Sequence, residues 1–502
     1  MATVVPQTDN SHIDADDMSL EIFCLIWLDA NTSVEDNRDT EQELRSIINR
    51  LKKFQNVAQC QKYLEESSEH KRFVVIVSGR LGLEIVPSIH KLRQVISIYV
   101  YCLNKESNEE WVNNFSKVKA VIVQLDELIS RIQDDHKIQK MVEEPLSINI
   151  FTTDMGSNKS TTGLNGQFVF SQVLIECLLR LKYYEVDKKE LIRRCKKQYE
   201  GNRNELSKIR EFQKDYSSDK ALWWYTRESF FYKTLNTVLR TKNIHLMFLF
   251  RTYMLDIYHQ LKDFQAKDRL QLYRSQMISS DELINLEQCC GQFISVNSFF
   301  STSTNEQKAL SFLKRSHVTD NLKPILFEII ADPTVINTKP FADISQHSAF
   351  PNESEILFML GSIFRLESVK RNSDDQVWII RMVLSSDDEH DLKQVLMDMK
   401  EQLGGGETNL QTLGRLLSEM SRFDLAEKYF IRFLKQLSPD DPLLYDLYQD
   451  LGKLASQVNN LDKSMEWRQK AITLKKQNQS KSSESDTYSE SSYIEHNIDA
   501  RQ

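Results

Sequence analysis

The sequence predicts a multidomain α/β and α+β chain. It has an N-terminal doubly wound parallel α/β domain, a middle domain with a helical lobe and a two-sheet β core, and C-terminal α-helical hairpin repeats. Three observations predict this. Residues 19–130 alternate continuous apolar runs with amphipathic stretches, the pattern of a parallel sheet covered on both faces. Helical periodicity over 165–265 gives way to β-branched and aromatic runs over 269–385. Beyond EQLGGGET (401–408), two similar amphipathic stretches recur at one constant offset. At 502 residues the chain also exceeds what a single core supports.

Residues 1–18 are polar and read as disordered, and 19–145 as a flavodoxin-like α/β domain. Within it, the run from Glu21 to Ala30 predicts a buried strand, and TEQELRSIINRLKKF (40–54) a helix. RFVVIVSG (72–79) is again strand, and Ile85, Ile89 and Leu92 mark a helix. SIYVYC (97–102) and KAVIVQLD (119–126) add two strands around the helical NEEWVNNFSKV (108–118). Ligands of such sheets bind beyond the carboxyl ends of the strands, which nominates Asp29, Ser78, Gly79 and Cys102. SGRLG lacks the three-glycine dinucleotide fingerprint, so a docking or regulatory role is expected instead. Residues 146–185 read as linker and helix. GSNKSTTG (156–163) echoes the tail of a phosphate-binding loop, but Asn158 stands where glycine must precede the lysine, so it reads as a polar linker.

FVFSQVLIECLLRLKYY, ALWWYTRESFFYKTLNTVLR and LMFLFRTYMLDIYHQLKDF carry helical periodicity. RLQLYRS, QFISVNSFFSTST, KPILFEIIAD, SEILFMLGSIFRLESVKR and QVWIIRMVLS read as strands of an antiparallel core. Over 407–476, Leu413-Gly414 recurs as Leu451-Gly452, Ala426 as Ser464 and Phe433 as Ala471. This resembles the tetratricopeptide helix pair, with an ordinary helical hairpin as the alternative. The serine-rich tail 477–502 reads as disordered and a phosphorylation target.

A composition of 40% hydrophobic and 27% charged residues fits a folded soluble protein, and a net charge of −8 argues against a general nucleic-acid binder. The seven cysteines follow no recurrent spacing. Neither Cys-x-x-Cys nor His-Glu-x-x-His occurs, so no disulfide framework and no zinc site are expected. The start carries no signal-peptide pattern and no apolar run reaches membrane-spanning length, so a cytoplasmic location away from membranes is expected.

Three polar clusters then stand out. Arg274 ends the alternating LQLYRS, Ser301-Thr302-Ser303 follows an aromatic pair, and Glu353 and Glu355 enter the strand ILF. In a strand the two glutamates share a face, where like charges repel unless a cation offsets them. In this order the clusters resemble the arginine-serine-glutamate signature of mono-ADP-ribosyltransferases. WWYTRESFFYKTLNTVLR resembles that family's helical lead-in and GSIFRLESV the strand after its catalytic glutamate. The resemblance covers about 186–388 and implies the ADP-ribosyltransferase fold, with NAD as co-substrate, NADP as a variant, and no metal.

The same resemblance implies the site residues: Arg274, Ser301, Glu353 and Glu355 as catalytic, and Arg274, Ser275, Ser301, Thr302, Ser303, Phe312, Arg315 and Glu355 as contacting NAD. Arg274 suits the pyrophosphate because its planar guanidinium pairs with phosphate oxygens. Glu355 would hydrogen-bond the ribose and stabilise a cation-like sugar, oriented by Ser301. Glu353 would take the proton from an acceptor arginine, and in the resembled family Glu at this position goes with arginine acceptors. Phe350-Pro351 would stiffen a substrate-recognition turn. Phe312 would stack on nicotinamide and Arg315 contact phosphate. Ser275 departs from the family, which has glycine after the strand arginine. His245, His317 and His347 read as ordinary polar residues. The implied activity is NAD-dependent transfer of ADP-ribose to arginine of target proteins, with the repeats recruiting a protein partner. The alternatives are an NAD glycohydrolase and an inactive scaffold.

Overall fold

The computed structural model describes residues 21–30, 38–67, 71–143, 146–152, 164–314, 322–335, 339–351, 354–372, 377–386 and 408–477, with 393, 397 and 401. The chain divides into two compact units. One comprises 1–156 and 184–393, the other 157–183 and 394–502.

In the first unit β1 (Phe23–Leu28), β2 (Leu51–Phe54), β3 (Arg72–Ser78), β4 (Val95–Tyr101) and β5 (Val118–Ile122) form a parallel sheet in the order β2-β1-β3-β4-β5. Alternate residues feed two cores. Cys24, Ile26, Val75 and Val77 pack on one face, and Leu25, Trp27, Val74 and Ile76 on the other. That is why these strands read as unbroken apolar runs. One strand differs from expectation: the predicted helix 40–54 ends at Ile47, and Leu51–Phe54 is edge strand β2. Two lysines in a four-residue strand blur its period, and lysine is a usual edge-strand residue.

Nine further strands follow: β6 (Ile148–Phe151), β7 (Leu270–Ser279), β8 (Phe293–Val296), β9 (Phe300–Ser303), β10 (Leu322–Ala331), β11 (Phe341–Asp343), β12 (Glu355–Phe358), β13 (Ser362–Arg371) and β14 (Trp378–Ser385). Their order is β11-β12-β9-β7-β10-β14-β13-β8-β6. The expected pair of antiparallel sheets is thus one continuous ladder, and β10 pairs with β14 in parallel. The ladder folds over on itself. Phe358 of β12 and Phe364 of β13 lie 5.4 Å apart across a shared core, although their strands are distant in the order. β6 falls in the expected linker and pairs with β8, so the large sheet recruits chain from before the helical lobe.

The lobe consists of helices Glu185–Gln198, Arg203–Asp215, Ala221–Thr226, Phe230–Arg240 and Ile244–Asp263. Phe212 sits at its centre, with the rings of Trp224, Phe230, Phe231 and Tyr253 all 5.1–5.3 Å away. The aromatic patches of the sequence are this core.

The α/β domain is built onto the lobe through polar contacts. The Gln42 amide donates to Gly201 O (2.6 Å) and accepts from Arg203 N (3.1 Å). Asn202, fully buried, donates to Arg45 O (2.8 Å) and Asn49 Oδ1 (3.0 Å) while its oxygen caps the next helix at Glu205 N (3.1 Å). Gly201 takes a φ of +83°, a conformation that suits glycine and sets the turn. Glu205, also fully buried, accepts from Phe230 N, Lys208 and Lys233. Burial pushes the Glu21 carboxyl above its ordinary range, against the pull of Lys233. Burial alone would lower Lys233, but the charges of Glu205 and Glu21 outweigh it and raise the ammonium.

In the second unit the helices Leu410–Glu419, Phe423–Leu434, Leu444–Gln457 and 461–477 form two pairs. Their turns are equivalent. Ser421 and Asn459 both take φ of 58°, and Arg422 N→Leu417 O repeats as Asn460 N→Ala455 O. A methyl on Gly414 would meet the Phe430 ring at 2.4 Å, which explains the glycine at that close helix crossing.

Two outcomes are expected here. Asn202→Ala removes a helix cap and strands Asn49 and Arg45 O, so calorimetry should show a loss of about 2–3 kcal/mol. Because the folded Glu21 pKa is raised, its contribution is full at acid pH and is lost as pH climbs from the ordinary glutamate value through the raised one. The stability of Glu21→Gln relative to wild type should therefore rise with pH, and a flat difference would contradict the assigned burial.

Candidate active site

β12, β9 and β7 are neighbours in the ladder, so three short segments distant in sequence lie side by side. Glu355 is paired with Ser303, Leu357 with Ser301, and Tyr273 with Ser303. Opposed residues of antiparallel strands share a face, so Glu355, Ser301, Ser303 and Ser275 line one side and Arg274 alternates to the other with Thr302. Consistent with this, the Arg274 guanidinium lies 5.3 Å from the Phe300 ring, a core residue. Its Nη1 donates to Ser301 O at 2.9 Å and Nη2 reaches Gln276 Oε1 at 3.4 Å. Arg274, Ser301, Ser303 and Glu355 are half-buried, whereas Ser275 and Thr302 are buried.

Thr302 ties two strands of the site together, its hydroxyl donating to Ile356 O across the ladder at 3.0 Å. The backbone around Glu355 is held by the preceding segment. Glu355 N donates to Ser345 Oγ (3.1 Å), Ile344 N to Glu355 O (3.0 Å), and Ser345 Oγ to Asp343 Oδ1 (2.6 Å). Glu353, Arg315 and His317 lie outside the described residues, as does the side chain of Phe312, which belongs to helix Glu306–Lys314.

Sequence reasoning missed Tyr225, at the end of the lead-in helix. Its ring packs on Phe299 (4.9 Å), beside the serine strand, and its hydroxyl donates to Asn236 Oδ1 (3.1 Å). Burial, then Tyr232, pushes its phenol well above the ordinary range. The Asn236 bond lowers it, Glu355 raises it and Arg274 lowers it, so Tyr225 feels both charges of the site. The aromatic density of WWYTRESFFY was the available signal, but its register against β9 is a tertiary fact. His245 also differs from expectation: Nε2 lies 3.0 Å from Glu190 Oε1. His347 stacks on Phe264 at 3.8 Å. No group of His, Cys, Asp and Glu among the described residues is placed to hold a metal ion.

Residues 196–386 match the model of the ADP-ribosyltransferase exoenzyme family. The match supports an NAD-dependent ADP-ribosyltransferase domain with that family's mixed sheet and helices, within a longer chain. Solved structures align with part of this chain at low identity. The C3 exoenzyme of Clostridium limosum is 19% identical over 34% of this chain and 87% of its own (TM-score 0.27). HopU1 of Pseudomonas syringae pv. Tomato is 17% identical over 41% and 99% (TM-score 0.28), and the Vis toxin of Vibrio splendidus 20% over 42% and 89% (TM-score 0.26). A comparison with curated proteins returned no match. No helix among the described residues is long and apolar enough to cross a membrane.

Thr302→Val should cost about 1–2 kcal/mol, since it leaves Ile356 O short of a donor between two strands of the site. Equal thermal midpoints for the two proteins would remove Thr302 from this role.

Proposed function

We propose that the chain transfers ADP-ribose from NAD to arginine side chains of target proteins, releasing nicotinamide. The observation that supports this is the adjacency of β7, β9 and β12 inside the matched segment: Arg274 donates to Ser301 O, and Tyr225 feels the charges of both Arg274 and Glu355 although the two side chains leave opposite faces of the ladder. Arg274, already held by Ser301 O, presents a fixed guanidinium to the pyrophosphate. Glu355 faces the ribose and stabilises positive charge as the bond from ribose C1 to the nicotinamide nitrogen breaks, its electron pair leaving with nicotinamide. Ser301, diagonal to Glu355 on the same face, orients the carboxylate. Ser275, Thr302, Ser303, Phe312 and Arg315 complete the NAD contacts, and NADP is the variant co-substrate. The sugar carbon then bonds a guanidino nitrogen, whose proton passes to Glu353.

The helix pairs of the second unit recruit the target or another protein, as tetratricopeptide-like repeats do. Leu461, Met465 and Ile472, exposed along one helix, offer an apolar surface for it. A cytoplasmic location fits the free cysteines and the acidic net charge.

The test incubates purified protein with labelled NAD and agmatine. Wild type should yield ADP-ribosyl-agmatine, and Glu355→Ala should lose about 10²–10³ in rate. Glu353→Gln should lose arginine modification yet keep NAD hydrolysis; equal loss of both would sink the role given to Glu353. Free ADP-ribose as the sole product would make the chain a glycohydrolase, and no turnover would leave the scaffold reading.

A further inference from the structure

The segment before Glu355 is fastened to the helical lobe at more than one point, and one of them is a single side chain. Thr226, the last residue of its helix, donates its hydroxyl to Leu222 O (2.9 Å) and accepts from Ala349 N (2.8 Å), 123 residues further along the chain. Further bonds close the turn from Asp343 to Pro351 on itself. His347 N donates to Ile344 O (2.9 Å) and Phe350 N to Ser348 Oγ (3.0 Å), while Ser345 holds Glu355 N at its base. The His347 ring lies flat on Phe264, at the end of the long lobe helix, with 12° between the planes. Thr226 itself sits on a rigid support: the guanidinium of its neighbour Arg227 lies 4.9 Å and 5.2 Å from the rings of Trp223 and Trp224 and forms a fork-to-fork pair with Glu211. Past the Ala349 anchor, Phe350 is 46% exposed.

We infer that Thr226 is a positioning residue for the acceptor side of the reaction, a claim that rests on the reading of Glu355 above. Two anchors divide the work. The sheet holds Glu355 and Arg274, which serve cleavage of NAD. The lobe, through Thr226 and the Phe264–His347 stack, holds the turn on the proposed acceptor side. After cleavage the sugar carbon bonds either a guanidino nitrogen or a water oxygen, each nucleophile giving up one proton. Water needs no docking surface, whereas a guanidine does. Loosening the turn at Ala349 therefore diverts product toward free ADP-ribose with little effect on cleavage, because Thr226 bonds Ala349 N while Glu355 N stays held by Ser345 at the other end of the turn.

The test compares wild type, Thr226→Val and Thr226→Ser with labelled NAD and a range of agmatine concentrations, and follows hydrogen exchange of peptides spanning 341–358. Valine keeps the shape and removes the acceptor, so Thr226→Val should exchange faster at Ala349. It should also raise the ratio of hydrolysis to transfer about tenfold, the factor one ordinary hydrogen bond is worth. The shift should lie in the KM for agmatine, with NAD consumption within about twofold of wild type, and Thr226→Ser should restore both readouts. Unchanged exchange, or faster exchange with an unchanged product ratio, overturns the inference while leaving the proposed activity standing. A wild-type protein that consumes no NAD overturns the activity and the inference together.

Discussion

The register of β12–β9–β7 is the constraint on which the site depends. A slip of one residue in any of these strands would turn its side chains to the opposite face, since the period along a strand is two. The slip is opposed mainly from the apolar side. Phe300 packs at 6.0 Å from Phe358 and 5.9 Å from Phe364, while Phe341 stacks on Phe358 at 4.9 Å. Moving β9 by one residue would swap Phe300 and Thr302 for Ser301 and Ser303 in that core, a loss of several kcal/mol from one aromatic ring alone. The polar face is therefore fixed by side chains that never touch it.

The helical lobe adds a second fixed body, and its own reference is electrostatic. Glu205 is fully buried, and such a charge is tolerable only with its oxygens occupied. Phe230 N, Lys208 and Lys233 occupy them, which ties the second lobe helix to the start of the fourth. Asn202 sits just before it and joins the same helix to the α/β domain. The domain thus acts on the lobe as a brace, its helix Leu125–Glu143 also lying against β7 of the large sheet. No ligand is needed at the carboxyl ends of its strands for that purpose.

How much of this was legible follows from how local each signal is. The parallel domain was readable because Val74 to Val77 and Leu25 to Leu28 are apolar on both faces, a property of the segment itself. The three polar clusters stood out because each interrupts an apolar or aromatic run, but Arg274, expected at a strand end, lies in the middle of β7 (Leu270–Ser279), since the strand continues through QMIS. β2 and β6 were not, since four residues such as LKKF or INIF carry too little period to separate strand from the neighbouring helix or linker. Thr226, Tyr225 and the His245–Glu190 contact were also out of reach, because each is defined by a partner far along the chain and no local spacing announces it.

The serine at 275 is best weighed against this geometry. Glycine after the strand arginine lets the backbone come close to a ligand, so a side chain there looks like an obstruction. The alternation of β7, however, turns Ser275 away from Arg274 and toward the face of Ser301, Ser303 and Glu355. On that face it is buried and stands opposite Leu326, in the small apolar core that also holds Met277 and Leu313. The added hydroxymethyl therefore lies on the side of β7 away from the one by which Arg274 reaches Ser301 O. Under the proposed reading, the departure from glycine is thus compatible with Arg274 holding the pyrophosphate.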